Sequence, residues 1–282
     1  MGKYLDLFLA QIRVKGSTKT EKDYKTNITK FFENCEKDVA DVTYADLLEY
    51  YDTQFQGLKV NSKRTYMAAI LSYFRFLYEQ NIIPNDITKS FKLPKAEVKD
   101  MQYLDMSEAL VVAKVCEKEN RNPLRKKAMF ITFVNTGMRV SELSKLKISD
   151  IQDGWISVNN AKCNKFRKIP LHPSVKQAID DYVKHERVSS CPYLFVNQMG
   201  NPLTVTNVNR DLNSILSHTN INKHISAHRL RDSFATIQYT NGSDIKSIQE
   251  TLGHQTIQMT LHYVQKVDEK RREQVLNSGV QF

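Results

Sequence analysis

Residues 136–143 read TGMRVSEL and follow directly on the mostly apolar stretch from Ala128 to Val134. Thr136-Gly137 marks a helix end, because glycine is the residue best suited to a C-cap. Arg139 then opens a new helix, and Glu142, three residues on, shares its face. Further along, AHRLRDSFAT (227–236) sets His228 and Arg231 on one helix face, with Leu230, Phe234 and Ile237 as the buried stripe. Both polar residues therefore sit near a helix N-terminus, where unpaired N–H groups favour an anion. LGHQTIQMTLHY (252–263) closes one helix at Gly253, opens the next turn with His254 and reaches Tyr263 nine residues later. Between the first two segments lies WISVNNAKCNKFRKIPL (155–171). Trp155 to Val158 alternate as a strand does, Arg167 to Leu171 can form the returning strand, and the tip carries Lys162 and Lys165.

The surrounding chain predicts further helices near 107–117, 124–136, 141–146, 174–186, 204–217, 228–240, 244–252 and 256–264. The first 92 residues read as a separate helical domain. Tyr4, Leu5, Phe8, Leu9 and Ile12 keep helical spacing. Thr18 and Glu21 form a capping box ahead of Tyr24, Ile28, Phe31 and Phe32. A third helix starts at Thr43, carries Leu47, Leu48 and Tyr51, and is stopped by Gly57. A fourth starts at Asn61 or Ser62 and shows Met67, Ile70, Leu71, Phe74 and Leu77 on one stripe. Residues 93–104 (LPKAEVKDMQYL) read as a linker, and 105–282 as the second domain.

Composition limits the function. The 282 residues carry 41 Lys and Arg against 31 Asp and Glu, a net charge of +10, so the natural partners are polyanions. The excess is concentrated in the second part: residues 1–92 hold 14 basic and 12 acidic side chains. No apolar run approaches the ~20 residues of a membrane span, and MGKYLDLF does not read as a secretory signal. The four cysteines (35, 116, 163 and 191) are scattered without a C-x-x-C pair, which excludes a zinc ribbon or disulfide framework. No acidic cluster suggests a bound Mg²⁺. Lys63 and Arg64 in the first turn of the fourth helix suit a phosphate better than the helix dipole does. Lys15, Lys19, Lys22 and Lys25 cluster in the same way around the start of the second helix.

In this order and spacing, Arg139, Lys162, His228, Arg231, His254 and Tyr263 resemble the active-site set of the tyrosine recombinases, also called the phage integrase family. TGMRVSEL, HRLR, and LGH followed at nine residues by tyrosine are that family's signature boxes. Ala161-Lys162-Cys163 stands where the family often has Gly-Lys-Gly. The following N-K-x-R and I-P-L keep the register, which favours Lys162 over Lys165 as the catalytic lysine. Asp232 follows the HRLR box where many relatives have histidine, and Gln265 stands where histidine is common.

The resemblance covers the whole chain. It implies a mainly α fold with a small β-hairpin or sheet, the first domain being a helical core-binding domain and the second a mostly helical catalytic domain. It implies site-specific recombination through a 3′-phosphotyrosyl intermediate and a four-way junction, without cofactor, metal or ATP. Arg139 and Arg231 would clamp the non-bridging phosphate oxygens, and His254 would add a hydrogen bond. Tyr263 would attack, His228 would take its proton, Lys162 would protonate the leaving 5′-oxygen, and Glu142 would orient Arg139 or His228. Lys15, Lys19, Lys22, Lys25, Lys63, Arg64, Lys165 and Arg167 would contact DNA.

The implied partners are duplex DNA with inverted core half-sites, three further copies of the chain docked through the C-terminal segment (with Asp268 to Leu276 helical), and accessory proteins. The implied location is the bacterial cytoplasm, at the nucleoid. A type IB topoisomerase uses a similar residue set, but the LGH box and short length favour the recombinase. A non-catalytic DNA-binding relative would lack the tyrosine or an arginine. The chain shows no arm-binding domain ahead of its first helices, which points to a Xer-like or transposon-resolvase-like role, resolving dimers or cointegrates, or to integration and excision of a mobile element.

Overall fold

The computed structural model describes residues 2–14, 18–97, 102–160 and 165–278. The chain divides into two compact units, Met1–Lys99 and Asp100–Phe282. Lys15, at the α1–α2 junction, and Lys162, at the hairpin tip, fall outside the described residues.

Four helices build the first unit: α1 (Gly2–Val14), α2 (Thr18–Cys35), α3 (Tyr44–Gln54) and α4 (Val60–Glu79). Their inner faces meet in an aromatic core, in which Phe31 packs edge-on against Phe32, Tyr50 and Phe74 with centroids 4.9–5.6 Å apart. Each such side chain contributes roughly 1.5–3 kcal/mol by burial. Thr43 caps α3 through a reciprocal bond with Asp46. Three local expectations shift. Thr18 is already helical rather than the cap, and the Glu21 carboxylate is engaged by Arg13 at 2.8 and 3.1 Å. Leu48 is 43% exposed and Tyr50 takes the inner position on α3. α4 begins at Val60, just ahead of the expected Asn61 or Ser62. Ile83, Ile87, Phe91 and Leu93 extend the same core beyond α4, so the chain expected to be loose from 93 onward is still packed there.

The second unit starts from Leu104, which is fully buried and whose N–H donates to Ser233 Oγ at 2.8 Å. It contains α5 (Met106–Glu117), α6 (Pro123–Thr136), α7 (Val140–Leu143), α8 (Pro173–His185), α9 (Val205–Ser217), α10 (Ala227–Thr240), α11 (Ile245–Leu252) and α12 (Gln258–Ser278). Three antiparallel strands lie in the order β1 (Ile151–Gln152), β2 (Trp155–Asn160) and β3 (Lys165–Pro170). β1 was not foreseen, since two residues carry no periodic signal. The register pairs Ile156 with Ile169 and Val158 with Arg167, so Arg167 shares the inner face of β3 with Ile169. The helix expected at 256–264 and the separate segment from Asp268 to Leu276 are one continuous helix, α12. Nothing between them breaks it, because no glycine or proline interrupts residues 258–276.

Two charged pairs are buried where α6 meets its neighbours: Arg125 with Asp211 at 2.8 Å, and Lys126 with Glu119. Each charge has an opposite partner, which burial demands. Gly137 ends α6 at φ +57°, and a Cβ there would stand 2.5 Å from Phe234 and 2.6 Å from Leu252. Only glycine lets the segment before Arg139 approach α10 and α11 this closely. No helix among the described residues is long and apolar enough to cross a membrane.

Candidate active site

Arg231 organises the site. Its side chain projects from α10, 2% exposed, and donates to two carbonyls from distant parts of the chain: Gly137 at 2.7 Å and Leu252 at 2.6 Å. These carbonyls belong to the helix-ending turns that precede Arg139 and His254. One guanidinium therefore ties the three sequence boxes together. Two of its five donors go to the carbonyls. Burial, then the nearby Arg139 charge, lower its pKa to about 10, so it remains a cation at neutral pH.

Arg139 is the N-cap of α7. Glu142 takes its backbone N–H at 2.8 Å and its Nη1 at 3.0 Å, while the side chain stays 37% exposed. The same carboxylate receives Arg167 Nη1 at 3.0 Å and Nη2 at 2.7 Å. Burial works to raise the Glu142 pKa, but hydrogen bonds and charge from Arg167, reinforced by Arg139, hold it down at about 2. Glu142 is thus a permanent anion between two cations.

Arg167 does not stand free on the surface as expected. Its Nε donates to the Thr251 carbonyl at 2.8 Å and its remaining donors face Glu142. The side chain is 12% exposed and props β3 against the end of α11. Strand alternation was the available signal, because Arg167 lies two residues from the inward Ile169.

His254 follows the αL turn at Gly253. Its Nδ1 lies 2.9 Å from the buried Thr260 hydroxyl, and its ring stacks on Tyr263 with centroids 6.1 Å apart. Burial, then Arg231, Arg139, Arg167 and His228, lower its pKa to about 4, so the imidazole is neutral at pH 7. Tyr263, on the first turns of α12, is 7% exposed. Its hydroxyl donates to Asp232 Oδ1 at 3.0 Å. Burial, then Asp232, push the phenol pKa well above its ordinary value. His228 is exposed on the first turn of α10. It still lies near enough to disfavour a charge on His254.

Arg139, His228, Arg231, His254 and Tyr263 thus lie near one another, with Glu142 joining Arg139 to Arg167. Asp232 and Thr260 are additional members that sequence reasoning missed. In the sequence Asp232 stands out only as a departure beside the HRLR box, and its link to Tyr263 spans 31 residues. The β3 backbone at Lys165 pairs with Asn160, whereas its side chain lies outside the described set. Among the described residues no group of three His, Cys, Asp or Glu could hold a metal ion.

Of the other lysines proposed for DNA contact, Lys19, Lys22, Lys25 and Lys63 lie in the first unit. Lys19, Lys22 and Lys25 are exposed on α2. Lys19, Lys22 and Lys30 line a surface depression of about 710 Å³ together with Thr65 and Tyr66 of α4. Arg64 departs from expectation: it is half-buried and donates to the Pro94 carbonyl, holding the segment after α4. The Lys63 ammonium lies over the Tyr51 ring, 5.7 Å from its centroid.

A mainly helical unit with a three-stranded antiparallel sheet, bringing two guanidiniums, a neutral histidine and a tyrosine together, is the arrangement of a class of DNA breaking and rejoining enzymes. The model of the phage integrase family matches residues 102–270, and the chain belongs to this family of site-specific tyrosine recombinases. It is 33% identical to the tyrosine recombinase XerD of Halalkalibacterium halodurans over 82% of this chain and 80% of that relative. It is 30% identical to a tyrosine recombinase of Agathobacter rectalis over 98% and 95%. The fold matches a lambda integrase dimer bound to a COC′ core site with a TM-score of 0.78, over 93% of this chain and 94% of that one, at 21% identity. The topoisomerase alternative is not favoured by these similarities.

Proposed function

We propose that the chain cuts duplex DNA at a specific core site through Tyr263 and exchanges strands as a homotetramer. The observation that carries this reading is the buried Arg231 joined to the Gly137 and Leu252 carbonyls, because it gathers the other groups around a single anion position. The scissile phosphate would lie against Arg139 and Arg231, whose donors match its non-bridging oxygens. With Thr260 donating to Nδ1, the neutral His254 carries its hydrogen on Nε2 and adds a donor to the same oxygens. Tyr263 Oη attacks phosphorus as the bond to O5′ breaks. The phenolic proton passes to His228, and Lys162 protonates O5′. The products are a 3′-phosphotyrosyl ester and a free 5′-hydroxyl. The reverse attack by a 5′-hydroxyl of the partner strand rejoins the DNA without an energy source.

Helix α2 supplies a basic face for the duplex through Lys19, Lys22, Lys25 and Lys30. Each of two inverted half-sites would seat one protomer, and two such core sites would make up the tetramer, with the end of α12 docking on a neighbour. A family relative, lambda integrase, has been solved as a tetramer bound to a Holliday junction, which supports this assembly. Resolution of dimers or cointegrates and movement of a transposable element are the roles this chemistry serves.

The test is covalent capture on nicked duplexes tiled from the DNA flanking its gene, without metal or ATP. A denaturing gel should show a DNA-linked band on one sequence, lost in Tyr263→Phe while DNA binding persists. A Tyr263-dependent band on every duplex would replace recombination by relaxation, and a band that survives Tyr263→Phe would remove the nucleophile assignment.

A further inference from the structure

Tyr263 does not point free into its pocket. Its hydroxyl donates to Asp232 Oδ1 at 3.0 Å, and the two residues are 7% and 3% exposed. The other carboxylate oxygen, Oδ2, receives Arg229 Nη1 at 3.0 Å. Asp232 is therefore shared between a cation one turn back on α10 and the phenol of α12. Further ionisable groups near the phenol among the described residues are Arg231 on α10, His254 stacked against its ring, His262 beside it on α12, 6.3 Å between centroids, and Tyr239, packed against the same cluster. Arg231 favours a phenolate, and His254 is held neutral.

A carboxylate stabilises a phenol that donates to it and opposes a phenolate in the same place, and little water is present to screen the repulsion. The arrangement keeps the hydroxyl protonated and directs its hydrogen to Asp232 rather than to a base that would take it during attack. Arg229 occupies only the second oxygen of Asp232 and leaves Oδ1 to the phenol.

We propose that Asp232 is a positioning residue that latches Tyr263 in a protonated, withdrawn state, and that the hydroxyl must leave this carboxylate before strand cleavage. The inference rests on Tyr263 being the nucleophile. It concerns how that nucleophile is kept from cutting before the DNA complex is complete.

Two readouts on the full chain test it. The first needs no DNA: ¹⁹F NMR of protein labelled with 3-fluorotyrosine, with the Tyr263 resonance assigned by its loss in Tyr263→Phe. In the native chain this resonance should stay untitrated through the range in which the exposed tyrosines ionise, and in Asp232→Asn it should titrate with them. Arg229→Gln, which leaves the carboxylate without its cation, serves as a second variant and should not release the phenol. The second readout is the rate of covalent-complex formation on nicked duplexes tiled from the flanking DNA. Asp232→Asn should be roughly tenfold faster at pH 7 for each unit by which the phenol becomes more acidic. That advantage should shrink as pH approaches the ionisation of the released phenol.

A Tyr263 resonance that titrates normally in the native chain, or is unmoved by Asp232→Asn, overturns the latch. So does an Asp232→Asn protein that keeps a native spectrum but no longer cleaves, since the carboxylate would then be required for the reaction. Absence of any Tyr263-dependent band from both proteins refutes the nucleophile instead, and the NMR titration still decides whether Asp232 holds the phenol.

Discussion

Glu142 is the buried anion between Arg139 and Arg167, and replacing it with glutamine tests whether that anion assembles the site. Its pKa is held at about 2 against an ordinary 4.5. The side chain is only 6% exposed, so the difference passes largely into stability, about 3 kcal/mol. Because the folded-state value is the lower one, the contribution is fully present above pH 4.5 and is lost as pH falls toward 2. His254 acts in an adjoining window: its folded pKa of about 4 lies below the ordinary 6.5, so stability is also lost as pH falls from 6.5 to about 4. The native chain should therefore weaken in two overlapping stages on acidification, and Glu142→Gln should lack the lower one. At pH 7 the variant leaves two guanidiniums facing an amide, and removing one partner of a buried pair costs ~3–5 kcal/mol. The assay is urea unfolding followed by fluorescence. The chain has one tryptophan, Trp155 on β2, so the signal reports the second unit alone. A loss below about 1 kcal/mol at pH 7, with an unchanged acid profile, would refute the view that Glu142 is held as a stabilising anion.

Three further outcomes are expected. Gly137→Ala forces a Cβ into Phe234 and Leu252 at φ +57°, and should cost ~2 kcal/mol or more, read as a lower urea midpoint of the Trp155 signal. Lys162→Ala should stall cleavage of ordinary DNA on a denaturing gel but cleave a 5′-bridging phosphorothiolate, whose sulfur leaves without an acid; rescue of Lys165→Ala instead would move the acid there. Binding measured by fluorescence anisotropy should weaken steeply with salt, and Lys19→Ala with Lys22→Ala should flatten the log–log slope by about 1–2, since each phosphate contact contributes about 0.9.

Most of the helical framework was legible because its signals are local. Thr43 at a helix start, Gly137 at a helix end and the periodic apolar residues of α1, α2 and α4 depend on neighbours within a turn or two. The residues that converge in the pocket were legible for a different reason, the joint spacing of the boxes around Arg139, His228, Arg231, His254 and Tyr263. What escaped depends on pairings far apart in the chain. Arg167 was read as a surface cation because the hairpin tip is basic, yet strand register turns it inward to Glu142, 25 residues away. Arg64 was read as a phosphate ligand, yet a carbonyl 30 residues on takes its guanidinium. α12 was divided in two because its polar second half offered no apolar stripe to extend.

The behaviour of Arg231 shows why the motif residues cannot be treated as independent contributors. Its donors hold the carbonyls of Gly137 and Leu252, and those residues end the helices that lead to Arg139 and His254. Replacing it by lysine would keep a charge but provide neither the planar fork nor the reach to two carbonyls. The loss would therefore exceed one phosphate contact, because the turns carrying Arg139 and His254 would lose their common anchor. Arg139 differs: it is 37% exposed and its side chain pairs with Glu142, which Arg167 also holds, so its removal leaves the frame standing. Arg139→Ala should accordingly lower cleavage while sparing the urea midpoint, whereas Arg231→Lys should lower both. Equal effects of the two substitutions on stability would mean that the two guanidiniums do not divide the work of building the pocket and facing the phosphate.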